Sequence, residues 1–474
     1  MRGPGTPRRG AQGPDRRSFL ASAAAMALGL STDRVRTGSA GSLLDATQGR
    51  PLPSPAQLAW QEDELALFLH FGVNTFTNRE WGDGEEDPAI FNPTRLDAGQ
   101  WARVAREAGF RAMVLTAKHH DGFCLWPTAT TRHSVASSPW RDGTGDVVRE
   151  MVDACRAEGL RVGLYCSPWD RNHPTYGDSP RYNDVLMEQL TELLTRYGEV
   201  HEVWFDGANG EGPNGRRQEY DWPRFWAHVL RLQPEAVIFS DAGPGVRWIG
   251  NERGSAGDPN WSTVHPRTVP VPGMSGEEVI RQLQHGDRDG TVWRPGETDV
   301  SIRPGWFYHP EEDPLVRGPD DLVDLYFTSV GRNSKLLLNV PPTPEGLLHP
   351  RDVESLRGMR ARLDGIFATD LAGGRPLEWR DTGPREAVGE LDLGDRAVAG
   401  VSDLREDIAR GQRVEAWTLE GSHAEGWSTL ARGETIGYRK LDRFEATPVR
   451  RIRLTVRTLD APLPVSLGLY APVE

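Results

Sequence analysis

Three stretches of the chain end in side chains that handle protons: Val203-Trp204-Phe205-Asp206-Gly207, Leu69-His70-Phe71-Gly72 and Lys118-His119-His120-Asp121-Gly122. In each, an apolar run gives way to a carboxylate or an imidazole and then to glycine. That order is expected where a parallel strand, apolar because both faces are covered, leaves the core at the rim of a cleft. Asp206 is the anchor. Taken alone it reads as a strand-end aspartate capping the next turn, and its company at other strand ends is what makes it a candidate for chemistry. Tyr165 closes a further apolar run, and the loops contribute Glu80, Trp81, Trp248, Glu252 and Trp306. Such a set suits a sugar. Aromatic rings take the apolar face of a pyranose, polar groups meet its hydroxyls, and two acids suffice to cleave a glycosidic bond.

Each member has a plainer explanation. A lone strand-end histidine is more often a hydrogen-bonded structural residue, barrel tryptophans are commonly core, and Glu252 close to Arg247 and Arg253 fits a solvated ion pair. His119 and His120 could hold a metal, but successive strand side chains point to opposite faces. No further His or Cys pattern completes a zinc site, so neither metal nor other cofactor is expected. The joint placement of the set carries the functional reading.

The elements that must position these groups alternate. Short apolar strands at 65–71, 112–117, 162–166, 203–206 and 236–240 are separated by stretches with helical spacing, among them Trp101, Val104, Ala105, Ala108 and then Val147, Val148, Met151, Val152, Cys155. Two more candidates, 299–303 and 335–340, bring the count near that of a (β/α)8-like barrel. Residues 241–294 are polar, rich in Gly and Pro and poorly periodic, which predicts long loops over the site and degenerate barrel helices. A helix over 352–367 ends the barrel, and Gly373-Gly374-Arg375-Pro376 reads as a linker. Beyond it, alternating strands at 413–417, 451–456 and 465–470 predict an antiparallel β-sandwich. The expected divisions are a leader over 1–42, a catalytic barrel over 43–372 and a sandwich over 376–474.

A net charge of −13, with no Lys/Arg run beyond the N-terminus, argues against nucleic acid or an anionic membrane as partner. Arg16-Arg17 ahead of a short, small-residue apolar run reads as a Tat-type export signal, with cleavage near Ser39-Ala40 and an extracellular or cell-envelope destination. No later stretch is long and apolar enough to span a membrane. The 3 cysteines, Cys124, Cys155 and Cys166, read as small buried hydrophobes.

The ordered segments Leu69-His70-Phe71-Gly72, Glu80-Trp81, Lys118-His119-His120-Asp121-Gly122-Phe123 and Val203-Trp204-Phe205-Asp206-Gly207 resemble the α-L-fucosidases of glycoside hydrolase family 29. The resemblance spans nearly the whole chain after the leader and implies the same barrel followed by a β-sandwich. It matches Asp206 to the nucleophile, and His70, Glu80, Trp81, His119, His120, Tyr165 and Trp204 to the fucose pocket. Trp248-Ile249-Gly250-Asn251-Glu252 resembles the acid/base segment of the subfamily that prefers α-1,3/1,4-linked fucose. Glu297 is the rival acid/base, or a contact to the neighbouring sugar. The implied activity is hydrolysis of fucosylated oligosaccharides or glycoconjugates with retention of configuration. Two alternatives stand beside it: a metal-dependent hydrolase centred on His70, His119 and His120, and a carbohydrate-binding protein without catalysis.

Overall fold

The computed structural model describes residues 49–423 and 426–473, so the expected export signal lies outside the described residues. Strands β1 (Leu65–Leu69), β2 (Ala112–Lys118), β3 (Arg161–Cys166), β4 (Glu202–Trp204), β5 (Val237–Phe239) and β6 (Arg247–Trp248) are followed by a small antiparallel hairpin, β7 (Thr263–Val264) with β8 (Val292–Trp293). Then come β9 (Gly296–Ser301) and β10 (Ser334–Asn339). All but β7 and β8 form one parallel sheet in the order β5-β4-β3-β2-β1-β10-β9-β6. A single parallel bridge between Phe239 and Val246 joins its two edges, making a nearly closed eight-stranded barrel.

The strand sequences explain the closure. Nearly every residue of the long strands is buried, as expected of strands covered inside by the barrel core and outside by helices. Alternate residues face inward. Phe68, Tyr165, Trp204, Phe239, Trp248 and Leu337 share one interior cluster, and Trp60 joins it from the helix Pro55–Glu62. Helices Ala98–Glu107, Val147–Glu158 and Trp222–Leu232 each begin at an aspartate, Asp97, Asp146 or Asp221, whose side chain accepts a backbone N–H of the first turn. Each such cap contributes on the order of 1 kcal/mol.

The polar segment 241–294 contains more order than its composition predicts. It supplies β6, the hairpin strands and the helix Glu277–His285. A two-residue strand has no period to detect, which is why β6 is invisible to the pattern and Trp248 was expected in a loop. Strand β9 starts at Gly296 rather than Asp299.

Gly373 and Gly374 both adopt the left-handed region. Their turn is pinned, because Asp370 accepts from the N–H groups of Ala372, Gly374 and Leu469. The C-terminal region is an antiparallel sheet, β11 (Glu378–Gly383), β12 (Glu386–Arg405), β13 (Val414–His423), β14 (Gly426–Gly433), β15 (Lys440–Thr458) and β16 (Ser466–Tyr470). The long strands β12 and β15 change register twice. One half pairs with β11 and β13, the other with β16, so two layers close over a core that includes Leu391, Leu404, Trp417, Leu454 and Leu469.

The two regions meet at Glu64, which stands just before β1. Its carboxylate accepts from Arg439 at 2.9 Å and Tyr438 at 3.1 Å, and also from Tyr326. Arg439 in turn reaches Asp403 at 2.7 Å.

Candidate active site

The C-terminal ends of the strands converge on one rim. Asp206 lies two residues beyond Trp204 and therefore on the same inward face. Its side chain is 9% exposed. Oδ1 accepts the backbone N–H of Ala208 at 2.7 Å, while Oδ2 lies 3.4 Å from the Tyr165 hydroxyl and 3.8 Å from His120 Nε2. The carboxylate is thus fixed in rotation. A Cβ on the next residue, Gly207, would stand 2.6 Å from Asp241 Oδ2 and 3.0 Å from the Gly273 nitrogen. Only glycine lets the 273 loop, bonded to Asp241 at 2.9 Å, come down beside Asp206.

His119 and His120 follow the end of β2, after a register shift between Thr116 and Lys118. The alternation of strand side chains therefore does not apply to them, and both join the same aromatic network. His119 packs on His70, Tyr165 and Phe307, and His120 on Trp81 and Trp169. His120 Nδ1 lies 2.7 Å from Ser167 Oγ, and that hydroxyl donates to the Trp169 carbonyl at 2.7 Å. With its hydrogen committed there, Ser167 accepts from Nδ1–H, so the neutral ring presents Nε2 as an acceptor toward Asp206. Among the described residues no three His, Cys, Asp or Glu side chains are grouped to hold a metal ion.

Two buried polar groups flank the histidines in sequence. Lys118 Nζ donates to Asp170, Tyr182 and Gln189 at 3.3, 2.9 and 2.8 Å. Burial opposes its charge, yet Asp170 more than compensates, and the ammonium is held above its ordinary range. Asp121 accepts from Phe123 N–H at 2.7 Å and from Asn74 Nδ2 at 3.1 Å, and lies 3.9 Å from His119 Nδ1. Burial pushes its carboxyl up to about 7.

Glu80 accepts the backbone N–H groups of Trp306 and Phe307 at 2.5 and 3.3 Å and meets His309 Nε2 at 3.0 Å. It thereby seats the loop after β9. The hydrogen bond to Glu80 holds His309 above the ordinary histidine range. Trp306 then packs 5.1 Å from His70, and Trp81 lies 5.9 Å from both His120 and Trp169.

Glu252 stands four residues beyond Trp248, on the rim side of β6 and partly exposed. Gly250 with positive φ and Asn251, whose side chain accepts from Arg253 N–H and donates to Ser255 O, shape the turn that carries it. Trp248 and Glu297, unlike Glu252, are buried. Trp248 is a buried strand residue whose indole donates to Asp299 at 2.8 Å. Glu297, second residue of β9, is fully buried beneath Trp204 and accepts from its Nε1 at 3.1 Å. A side chain near the start of a parallel strand points into the layer of the barrel away from the rim.

The chain as a whole matches a known group of proteins. The α-L-fucosidase family model fits residues 85–364. The chain belongs to the α-L-fucosidase family. Arabidopsis thaliana α-L-fucosidase 1 is 42% identical over 450 residues, spanning 89% of this chain and 87% of its own. A solved glycoside hydrolase 29 family member from an unknown rumen bacterium is 42% identical, covers 90% of this chain and 78% of that one, and superposes with a TM-score of 0.82. A Ruminococcus gnavus fucosidase of the same family, solved in complex with fucose, gives 30% identity, coverages of 91% and 97% and a TM-score of 0.81. The protein is an α-L-fucosidase, a glycoside hydrolase.

Several residues of this fucosidase site escaped the sequence reading. Asn339 ends the apolar strand β10 and Asp241 follows β5, and the same strand-end rule would have flagged them. Ser167 and Trp169 lie just past β3, two and four residues beyond Tyr165. Phe307 adjoins Trp306, and its apolar side chain carries no mark of a site.

Proposed function

We propose that this fucosidase removes terminal α-1,3/1,4-linked L-fucose from oligosaccharides or glycoconjugates by double displacement with retention. The observation that carries the reading is the mounting of Asp206: buried, inward-facing, and oriented by Ala208 N–H and Tyr165. An Asp206 oxygen attacks the anomeric carbon as the glycosidic C–O bond breaks, and Glu252 gives its proton to the departing oxygen. Water then loses a proton to Glu252 and attacks the same carbon, releasing fucose and regenerating the Asp206 carboxylate. His70, His119, His120 and Tyr165 meet the hydroxyls, Trp81 and Trp306 pack on the apolar edges, and Trp204 supports them from below.

The linkage preference rests on the likeness of the segment from Trp248 to Glu252 to that of the branched-glycan subfamily. Turnover of a Lewis-type trisaccharide well above that of an aryl fucoside supports it, and the reverse order rejects it. Proton NMR of the first-formed sugar tests the stereochemistry. α-Fucose appearing before mutarotation marks retention, and β-fucose marks inversion and removes the nucleophile role from Asp206. We also propose export through the twin-arginine signal, tested by N-terminal sequencing of the secreted protein. Retention of the full N-terminus in the cytoplasm counts against it.

A further inference from the structure

Below the sugar site lies a second pair of acids. Glu297 Oε1 accepts from Trp204 Nε1, and the nearby charged group that acts on its carboxyl most strongly is Glu202. Among the described residues, the buried oxygens Glu297 Oε2 and Glu202 Oε1 both lack a hydrogen-bond donor. A carboxylate carries no hydrogen, so one proton held between the two groups is what satisfies both orphaned oxygens. Glu202 is the member placed to keep the charge. Its Oε2 accepts from Trp60 Nε1 at 2.9 Å and lies 3.5 Å from Lys335 Nζ, an ammonium that also faces Asp63 at 3.8 Å. The ion pairs of this layer reach Glu202 and Asp63, not Glu297.

We propose that Glu297 works as a neutral carboxylic acid, a positioning residue that donates to Glu202, accepts from Trp204 and fixes the aromatic floor under the nucleophile. Trp204 stacks on Phe239 at 4.1 Å and 6°, and packs 5.0 Å from Tyr165, whose hydroxyl faces Asp206. An indole tethered at its N–H cannot slide along Phe239, so Tyr165 is held against a fixed neighbour. Burial together with the Glu202 charge pushes Glu297 well above the ordinary carboxyl range, in keeping with the protonated form. The inference rests on Asp206 as the nucleophile and adds a role for a carboxyl group that cannot touch substrate.

The test uses the full-length enzyme with Glu297→Gln and Glu297→Leu. A glutamine amide reproduces both bonds, N–H to Glu202 and oxygen to Trp204, so E297Q is expected to keep kcat/KM within about fivefold of wild type on a Lewis-type trisaccharide and on an aryl fucoside. E297L loses the tether and is expected to lose about 100-fold in kcat on both. Infrared difference spectra between wild type and E297Q at neutral pH supply a readout that does not depend on E297L folding. The carbonyl band of a protonated carboxylic acid is expected in the wild type only, and its absence overturns the proposal. So does a folded E297Q that fails on the trisaccharide alone, which makes Glu297 the acid/base, or on both substrates, which makes its charge essential. Asp206→Gly assayed in parallel separates the two layers of argument. An active D206G removes the nucleophile assignment, whereas the comparison of Gln with Leu at 297 still reports on the tether.

Discussion

Asn339 Oδ1 lies 2.8 Å from His70 Nδ1. The amide nitrogen of Asn339 donates to Ser301 Oγ at 2.9 Å and to the Trp306 carbonyl at 2.8 Å, so the oxygen must face the imidazole and accept from Nδ1–H. Neutral His70 therefore has Nε2 as its acceptor, and the same amide ties Trp306 to β10. Replacing Asn339 by Asp should upset both. The carboxylate cannot donate to the Trp306 carbonyl, a loss of about 1–3 kcal/mol or roughly 5- to 150-fold in kcat/KM. It also favours the imidazolium form of His70, so the acidic limb of the pH–rate profile should move to higher pH. Steady-state kinetics on an aryl fucoside across pH checks both effects.

Removing the nucleophile gives the sharpest outcome. Asp206→Gly should cost at least about 10⁴-fold in turnover, with azide restoring part of it by entering the vacated space and forming a fucosyl azide. A D206G variant with wild-type turnover on an aryl fucoside would show that another group attacks the sugar.

Glu252 is expected to separate substrates by leaving group. A good aryl leaving group departs with little protonation, whereas a sugar hydroxyl needs a full proton, a contribution of about 10²–10⁴-fold from general acid catalysis. Glu252→Ala should therefore lose far more kcat/KM on a Lewis-type trisaccharide than on a nitrophenyl fucoside. Parallel losses on the two would assign Glu252 to positioning.

How much of this was legible in the sequence follows from what a pattern can hold. Parallel strands buried on both faces leave uninterrupted apolar runs, so β1, β2, β3, β4, β5 and β10 were visible, and their ends pointed to His70, His119, His120, Tyr165 and Asp206. Strand β6 is two residues long and its closing contact is one bridge at Val246, neither of which leaves a period. Depth was also hidden. Glu297 and Asp206 are both carboxylates beside tryptophan, yet one sits near the start of its strand and the other just past the end, and only the register of the sheet separates a floor from a rim. The pinning of Glu80 by backbone N–H groups of the 306 loop depends on a contact across more than two hundred residues, which no local spacing encodes.

Asp121 links stability to pH. Burial raises its carboxyl to about 7, against 3.8 for the unperturbed group, so between these values the folded state holds the proton that the unfolded chain has released. The slope of stability with pH is then negative, and the gap of about three pH units represents roughly 4 kcal/mol lost on going from below pH 4 to above pH 7. Asp121→Asn cannot ionise and can still accept from Phe123 N–H. Its melting temperature relative to wild type should be highest at pH 8 and fall toward parity or below at pH 4. A constant difference across that range would refute the assignment.

The junction between barrel and sandwich should respond in the opposite sense. Burial works against ionisation of Glu64, but Arg439 and the hydroxyls of Tyr326 and Tyr438 outweigh it and hold the carboxyl below its ordinary range. A depressed acid contributes stability that is present above the unfolded value and lost as pH falls through the folded one. Arg439→Met would leave partly buried Glu64 and buried Asp403 with Arg405 as their remaining shared cation, at 3.5 and 3.2 Å, a change worth about 1–3 kcal/mol. Urea unfolding at pH 7 should show that deficit in R439M, and the gap between the two proteins should narrow as the pH is taken down through the carboxyl range, because protonated Glu64 no longer needs the guanidinium. Since the same arginine bridges Glu64 before β1 and Asp403 in β12, loss of the sandwich and loss of fucosidase activity should coincide in the wild type along the urea axis. Activity that outlasts the sandwich transition would mean that the barrel stands without this contact.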